Sequence, residues 1–325
     1  MKSNRHIEHF VAPVDETPLL ATDTLKVEAA PLSLWVDAWH KLRRRPLFII
    51  SSAMILLIVA VAILPGLFTQ TPPNENCLLA NSEGPPREGH PLGFTFQGCD
   101  VYARIIHGTQ ASLSVGVLSV ICVLIIGVAL GALAGYYGGW IDALLARLGD
   151  IFSALPVLLG ALVITQLPFF RENKGVWTVV LVIAMLAWPQ MARITRGAVI
   201  QVRNADFVTA ARALGVSRFR TLVRHVLPNA IAPVIVLATL DLGVFIVLEA
   251  TLSFLGVGMP TSIMSWGKDI AAAQHSIRTN TMILIYPAIA LSVTVLSFMM
   301  LGDSLGDALD PKRRQRHEDA PRDHQ

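Results

Sequence analysis

Few of the reactive side chains in this sequence stand at spacings that support catalysis. The stretch HIEHF carries His6 and His9 around Glu8, but it lacks the H-E-x-x-H spacing of a zinc-binding helix. SIMSWGKD shares a Gly-Lys pair with phosphate-binding loops, yet Ser262 stands where the first glycine is needed and Asp269 follows the lysine. GDSLG at 302–306 has the G-x-S-x-G spacing, but it follows an apolar run of membrane length and not the strand that precedes a nucleophile elbow. The sequence therefore predicts neither an enzyme nor a metal site.

Two acidic residues lie within long apolar stretches, where a charge is costly. Asp241 is near the middle of one stretch, and Glu249 lies eight residues further along it. On a helix of 3.6 residues per turn they differ by about 80° around the axis. Charged groups inside membrane spans often mark substrate or ion paths, so both residues are candidates for the lining of such a path. The alternatives are an interhelical hydrogen bond for either residue and a packing role for Glu249.

The three cysteines occupy two kinds of position. Cys122 lies within an apolar run and is interpreted as a small packing residue. Cys77 and Cys99 share the polar stretch between the first two apolar runs. If that stretch lies outside the cell, the oxidising surroundings permit a disulfide between them. Two free thiols are the alternative.

The elements that carry these residues are predicted to be membrane-spanning helices. Of the 325 residues, 53% are hydrophobic and 15% are charged, against about 25% charged residues in a typical soluble domain. Runs of about 20 apolar residues can cross a hydrocarbon core about 30 Å thick. In lipid such runs must be helices, because their backbone groups have to pair within the segment. Six spans are predicted, near 47–68, 111–137, 151–167, 176–197, 229–256 and 280–301.

The distribution of basic residues sets the expected orientation. Most of the 26 Lys and Arg residues fall in the segments that lie inside when the N-terminus is inside, among them KLRRR before the first span. This is the positive-inside pattern, and it predicts that both termini are cytoplasmic.

The remaining segments complete the predicted organisation. Residues 1–31 are expected to be a disordered cytoplasmic tail, and 32–46 an amphipathic helix at the lipid interface, with Trp35 and Trp39 at headgroup level. The alternative for 32–46 is a simple extension of the first span. Residues 69–110 are predicted to be an extracytoplasmic loop, 111–302 the core with the five later spans, and 303–325 a cytoplasmic tail. Asp303 and Asp307 are expected either to fix the end of the last span or to meet nearby arginines.

The most polar interior stretch, TAARALGVSRFRTLVRHVLPN, predicts two short amphipathic helices. Phe207, Ala210, Ala211 and Leu214 recur at helical spacing, and Phe219, Leu222, Val223 and Val226 repeat that spacing beyond a glycine. Asn204 or Asp206 is placed to cap the first helix, Gly215 to end it, and Ser217 to cap the second. Pro228 is expected to stop the second helix. Such a hairpin, within the segment 204–228, suits docking against another protein.

This stretch also has the outline of a helix-turn-helix, with basic residues on its second helix. Only about 31 residues separate the flanking spans, which leaves no third helix for a free-standing domain. The arginines can equally meet anionic lipid headgroups. Binding to nucleic acid is therefore not predicted.

The same stretch resembles the EAA…G…LP loop of ABC-importer permeases of the dipeptide/oligopeptide/nickel family. The stretch before the second span, GYYGGWIDALLARLGDIFSALP, EATLSFLGVG, SWGKDI and LGDSLGDALDPK also resemble segments of that family, in order, over most of residues 90–312. Two departures stand out: Thr209 replaces the usual glutamate of the loop, and GFTFQGCD replaces the family's G-T-D…G-R-D stretch.

The resemblance implies an all-α permease of the type I importer fold, in a bacterial cell membrane. It implies that this chain moves small peptides by alternating access, with nickel or another small solute as the runner-up. The implied partners are a homologous permease, two ATP-binding subunits that hold ATP and Mg, and an extracytoplasmic substrate-binding protein, while the chain itself binds no cofactor. An ATPase-independent channel or membrane adaptor is the competing class. The resemblance assigns ATPase coupling to Thr209, Ala210, Ala211, Arg212, Leu214, Gly215, Ser217, Arg218 and Pro228.

Overall fold

The computed structural model describes residues 34–75 and 77–309. The predicted tail 1–31, with its HIEHF stretch, and the part of the predicted C-terminal tail after residue 309 lie outside the described residues. The described part is helical, and its only β-type pairings are the isolated bridges Arg87–His90 and Phe94–Asp100. The all-α prediction is therefore confirmed.

Thirteen α-helices make up the described part of the chain. Most are joined by short turns. Some of the connections contain a single 3₁₀ turn, and one of them is a π-helical segment at Leu222–Val226. The helices are α1 (Leu34–Leu42), α2 (Pro46–Ile63), α3 (Val101–Tyr137), α4 (Gly139–Ser153), α5 (Val157–Thr165), α6 (Pro168–Glu172), α7 (Val176–Arg203), α8 (Asp206–Ala213), α9 (Arg218–Thr221), α10 (Leu227–Ala230), α11 (Ala232–Phe254), α12 (Trp266–Ala272) and α13 (Met282–Leu309).

Five of these helices, α2, α3, α7, α11 and α13, are long and apolar enough to cross a membrane. A sixth crossing is formed if α4 and α5 act together, since the pair passes the same test but bends by 82° at its break. The predicted third span, 151–167, is thus not one straight helix. Pro156 explains the break, because proline disfavours helical conformation in the residue before it and has no N–H of its own to donate.

Close glycine packing holds α3 parallel to α7. A Cβ atom on Gly127 would come within 2.6 Å of Met191, and one on Gly135 within 2.8 Å of the Arg196 carbonyl oxygen. Gly131 lies between them, against the Ala192 carbonyl. Small residues four apart let two helix backbones approach in this way. Because α3 and α7 run in the same direction, the chain between them must return along the bundle, and α4 with α5 provides that return.

The other long helices alternate in direction. Glu249 of α11 faces Ser112 of α3, while Gly116 of α3 faces Ile246, so α3 and α11 are antiparallel. Gly302 of α13 contacts Leu240, whereas Gly243 of α11 contacts Val295, so α11 and α13 are also antiparallel. One end of the bundle therefore carries α8 to α10 and is called the hairpin end. The other carries Cys77 and Cys99 and is called the disulfide end.

Two helices are longer than the apolar runs that predicted them. The second crossing begins at Val101, within the predicted loop, because Asp100 caps α3 by accepting a hydrogen bond from the Ala103 N–H at 3.0 Å. The last crossing continues to Leu309, beyond the predicted boundary at 303. There Asp307 accepts a 2.8 Å hydrogen bond from Arg45. This ion pair joins the start of α2 to the end of α13.

Helix α1 is separate from α2 and packs on the protein. Ala38 and Leu42 are buried against Ala308 at the end of α13. Trp39 remains exposed and makes an edge contact with the Phe48 ring. The predicted interfacial helix at 32–46 therefore corresponds to a nine-residue helix with one protein-facing side.

Candidate coupling hairpin and transport cavity

The sharp turn between α8 and α9 depends on Gly215. Its φ of 83° lies in the left-handed region, which glycine adopts without strain. The Gly215 N–H bonds the Arg212 carbonyl at 2.9 Å, and the Val216 N–H bonds the Ala211 carbonyl at 3.1 Å. These two bonds form a Schellman motif, which closes the C-terminus of α8. The glycine turn therefore lies at the position that the sequence predicts.

The predicted helix starts differ from the observed ones. The residue that caps α8 is Ala205, without a side-chain hydrogen bond, and Asp206 is already the first helical residue. Neither Asn204 nor Asp206 is the cap, although a carboxylate in the first turn still favours the positive end of the helix dipole. Ser217 has the extended backbone of a cap, but its side chain makes no capping bond.

Pro228 does not end the helical segment after α9. Residues 222–226 widen into a π-helix, in which the Leu227 N–H reaches back to the Leu222 carbonyl, and Pro228 then lies in the first turn of α10. A proline is tolerated there because its missing N–H would have no partner in a first turn. The prediction that Pro228 stops the helix is wrong, since the wider turn accommodates the ring.

One face of the hairpin is fixed to the bundle. Val208, Leu222 and Val226 are fully or almost fully buried, and Ala211 is buried beside them. Val208, Leu222 and Val226 pack in one cluster with Ala132 and Tyr136 of α3 and Val199 of α7. Burying a medium apolar side chain stabilises by about 1.5–3 kcal/mol relative to exposure. The hairpin is therefore attached to the ends of α3 and α7, the two helices joined by glycine packing.

The opposite face of the hairpin is apolar and exposed. Leu214 is 85% exposed and Phe219 is 65% exposed. The predicted apolar faces are therefore only partly correct, because Phe207, Ala210, Leu214, Phe219 and Val223 point away from the protein. Thr209, Arg212, Ser217, Arg218, Arg220 and Arg224 are exposed as well. Apolar and basic side chains are therefore mixed on this exposed face.

A cavity of about 770 Å³ lies between the bent crossing, α7 and α11. Its wall includes Ser153 and Leu155 at the break between α4 and α5, Gln190 and Arg193 of α7, and Asp241 of α11. Irregular backbone at membrane depth is tolerated where it lines such a cavity. The structure thus places Asp241 on a cavity wall.

Glu249 is not on that wall. Its side chain is fully buried, and it accepts hydrogen bonds from Ser112 at 2.9 Å and Ser253 at 2.8 Å. The carboxylate of Glu249 is enclosed between α3 and α11, so in this structure it does not line the cavity. The interhelical hydrogen bond considered as its alternative is what the structure contains.

The disulfide end has its own polar contacts. Cys77 and Cys99 are joined in a disulfide across 22 residues of sequence. Arg104 binds Asp269 of α12 through Nε at 2.8 Å, an ion pair that sequence reasoning missed. No sequence pattern links these two residues, which lie 165 positions apart. Desolvation by burial lowers the pKa of Lys268, and the nearby Arg104 charge acts in the same direction.

Comparison with known proteins identifies the class. Residues 127–315 match the family model described as "Binding-protein-dependent transport system inner membrane component". Residues 33–86 match the model for the N-terminal TM domain of oligopeptide transport permease C. The first match covers more than half of the chain. This chain belongs to the binding-protein-dependent inner membrane permease family, and it is a multi-pass protein of the cell membrane.

Several relatives match almost from end to end. The chain is 35% identical to the oligopeptide transport system permease protein OppC of Bacillus subtilis, over 91% of this chain and 95% of that protein. It is 35% identical to the dipeptide transport system permease protein DppC of Alkalihalophilus pseudofirmus, over 87% and 91%. It is 32% identical to the glutathione transport system permease protein GsiD of Pectobacterium atrosepticum, over 90% and 96%.

The fold also matches a solved structure, an inward-facing MetNI methionine ABC transporter. The TM-score is 0.52 at 19% identity, over 64% of this chain and 96% of that chain, so this likeness concerns the fold alone. The chain is therefore a permease subunit of an ABC importer, and ATP hydrolysis in these importers belongs to separate ATPase subunits.

Proposed function

We propose that this chain is the permease through which an ATP-driven importer brings short peptides into the cytoplasm. The relatives named for oligopeptide, dipeptide and glutathione transport support this substrate class, since all three cargoes are short peptides. A cavity of about 770 Å³ is within the usual size range of small-molecule sites and suits cargo of that size. Asp241 lines the translocation path in this proposal.

The working assembly contains this chain and a second, homologous permease around a common path. Two ATPase subunits bind ATP and Mg on the cytoplasmic side, and an extracytoplasmic substrate-binding protein delivers the cargo. The hairpin end is cytoplasmic, as are both termini. This orientation puts the basic residues of the hairpin and of KLRRR on the inner side, as the positive-inside rule expects.

The observation that supports coupling most strongly is the two-sided hairpin. Its inner face is anchored to α3 and α7, while its outer face presents apolar and basic side chains. A subunit bound to the outer face and moved by nucleotide binding would pull on the ends of both helices. The exposed Thr209, Ala210, Arg212, Leu214 and Arg218 form the contact surface, Gly215 shapes it, and Ala211, Ser217 and Pro228 support it.

Co-purification with the ATPase subunits tests this proposal. The variant Leu214→Asp places a charge at the centre of the outer face, and Leu79→Asp is its control, since Leu79 is 75% exposed at the disulfide end. We expect Leu214→Asp to lose most of the bound ATPase and of the peptide uptake into proteoliposomes, while Leu79→Asp keeps the ATPase bound. Normal ATPase binding by Leu214→Asp would refute the coupling surface.

The alternatives make different predictions in the same experiment. An ATPase-independent channel would give peptide or solute flux without the ATPase subunits. An importer for nickel would give ATP-driven nickel uptake and no peptide uptake. Within the described residues, no group of three or more His, Cys, Asp or Glu side chains is arranged to hold a metal ion.

A further inference from the structure

The carboxylate of Asp241 lies in the cavity without a protein partner. Asp241 is only 7% exposed, yet no hydrogen bond or ion pair from any described residue reaches its side chain. Glu249, two turns along the same helix, has two hydroxyl partners. A buried charge without a partner is expensive inside a membrane span, and such groups serve function rather than stability.

Asp241 lines the same cavity as the break between α4 and α5. It is the tenth residue of the 23-residue helix α11, close to the middle of that crossing. The cavity extends along α11 to Thr251, about 15 Å at 1.5 Å per residue. The break between α4 and α5 forms the facing wall. Broken helices beside a mid-membrane cavity are where transporters bind their cargo.

The charges around the cavity are unevenly placed. Arg193 is the other charged residue in its wall, and it already has an acidic neighbour, since its Nη2 lies 4.0 Å from Asp150. Arg193 is three residues beyond Gln190 on α7, toward the hairpin end. Ser153, Gln190 and Thr251 are neutral. Of the two charged residues in this wall, Arg193 has an acidic neighbour, whereas no basic side chain of the described residues is within ion-pair distance of Asp241.

We infer that Asp241 selects cargo that carries a cationic group. The partner that the protein does not supply is an ammonium or guanidinium group on a Lys or Arg side chain of the passing peptide. This inference rests on the proposed function. It adds that the path itself, and not only the delivering protein, discriminates by charge. A charge-assisted hydrogen bond favours cationic over neutral cargo by about tenfold or more.

The test compares the uptake of two peptides by the complete transporter in proteoliposomes. The pair is Ala-Lys-Ala and Ala-Gln-Ala, which differ in one charged group. The ratio of their uptake rates is measured for the wild type, for Asp241→Asn and for the control Asp303→Asn. Asp303 is exposed on α13 and outside the cavity, so its replacement makes the same chemical change elsewhere. Because the delivering protein is identical in every sample, its own preference cancels when the ratios are compared.

We expect Asp241→Asn to lower the ratio for Ala-Lys-Ala over Ala-Gln-Ala by about tenfold. Asp303→Asn should leave the ratio unchanged. Asp241→Lys should favour Ala-Glu-Ala over Ala-Lys-Ala. An unchanged ratio in Asp241→Asn, or equal loss of both peptides in an assembled complex, would overturn the inference, because a structural carboxylate affects every cargo alike. Absence of any peptide uptake by the wild type would instead refute the proposed function.

Discussion

The guanidinium carbon of Arg212 lies 5.0 Å from the centre of the Tyr136 ring. Arg212 belongs to α8 of the hairpin, and Tyr136 is the second-to-last residue of α3, so the contact joins the hairpin directly to a membrane crossing. A second arginine, Arg203 at the end of α7, donates a 2.6 Å hydrogen bond to the Gly135 carbonyl. The end of α3 is thus held by cations from two neighbouring elements.

The first prediction concerns this contact. Arg212→Gln should loosen α8, because a cation–π pair at such a site contributes about 0.5–1 kcal/mol. We expect faster amide hydrogen exchange across residues 206–213, measured by mass spectrometry on the purified protein. Tyr136→Phe keeps an aromatic face and should preserve the exchange rate. Arg220→Gln, a change at an exposed arginine of α9, is the control. Equal exchange in Arg212→Gln and wild type would show that the pair does not hold α8.

A second prediction concerns the glycine contact between α3 and α7. Gly131→Ala should lower the stability by about 1–3 kcal/mol, because the added methyl group would overlap Ala192 and Thr195. The control is Gly197→Ala on α7, where nothing lies within 4 Å of the added atom. Thermal unfolding in detergent should separate the two variants. If both variants unfold at the same midpoint temperature, α3 and α7 can move apart to admit the methyl group without loss of stability, which contradicts the prediction.

The turn at Gly215 gives a third prediction. Gly215→Ala should cost about 1–2 kcal/mol, because an L-residue is strained in the left-handed region. No atom lies within 4 Å of the added methyl group, so the cost is conformational and not steric. Gly215→Asn should lose less, since asparagine tolerates this conformation better. Gly66→Ala, also in open space but without a positive φ, is the control in the same unfolding assay. A larger loss in the asparagine variant than in the alanine variant would contradict this account.

The fourth prediction concerns the disulfide end. Replacing Cys77 and Cys99 with serine should destabilise the loop by about 3 kcal/mol, the entropy expected for closing a chain segment of this length. Limited proteolysis between residues 77 and 99 should become faster. A reducing agent should have the same effect on the wild type and none on the double variant. The control Cys122→Ala should keep the wild-type cleavage rate, since Cys122 is a free thiol in α3.

The side chains of Ser276 and Thr279 lie close to Glu83 of this loop and lower its pKa. A carboxylate whose pKa is lowered in the folded protein stabilises the fold at any pH above the ordinary pKa of the group. This stabilisation is lost as the pH falls through the lowered pKa. The contact between the loop and residues 276–279 therefore weakens only in acid.

Sequence alone determined the features that depend on local properties. The length of an apolar run decides whether a helix can cross the membrane, so the positions of the five long crossings follow from it. The turn at Gly215 is equally local, because left-handed backbone selects glycine wherever it occurs. Several segments that resemble those of the permease family, in the same order along the chain, were sufficient to recognise the family.

Tertiary structure decided everything that depends on distant partners. Helical spacing groups Phe207 with Leu214, but contact with α3 and α7 determines that Val208 is buried and those two residues are exposed. Asp241 and Glu249 are both acidic residues of the same apolar run. Glu249 has a structural role because it accepts a hydrogen bond from Ser112, which lies 137 residues away in sequence. Asp241 faces a cavity that is lined in part by the break between α4 and α5. Burial and pairing are properties of the whole packed bundle, so no local pattern encodes them.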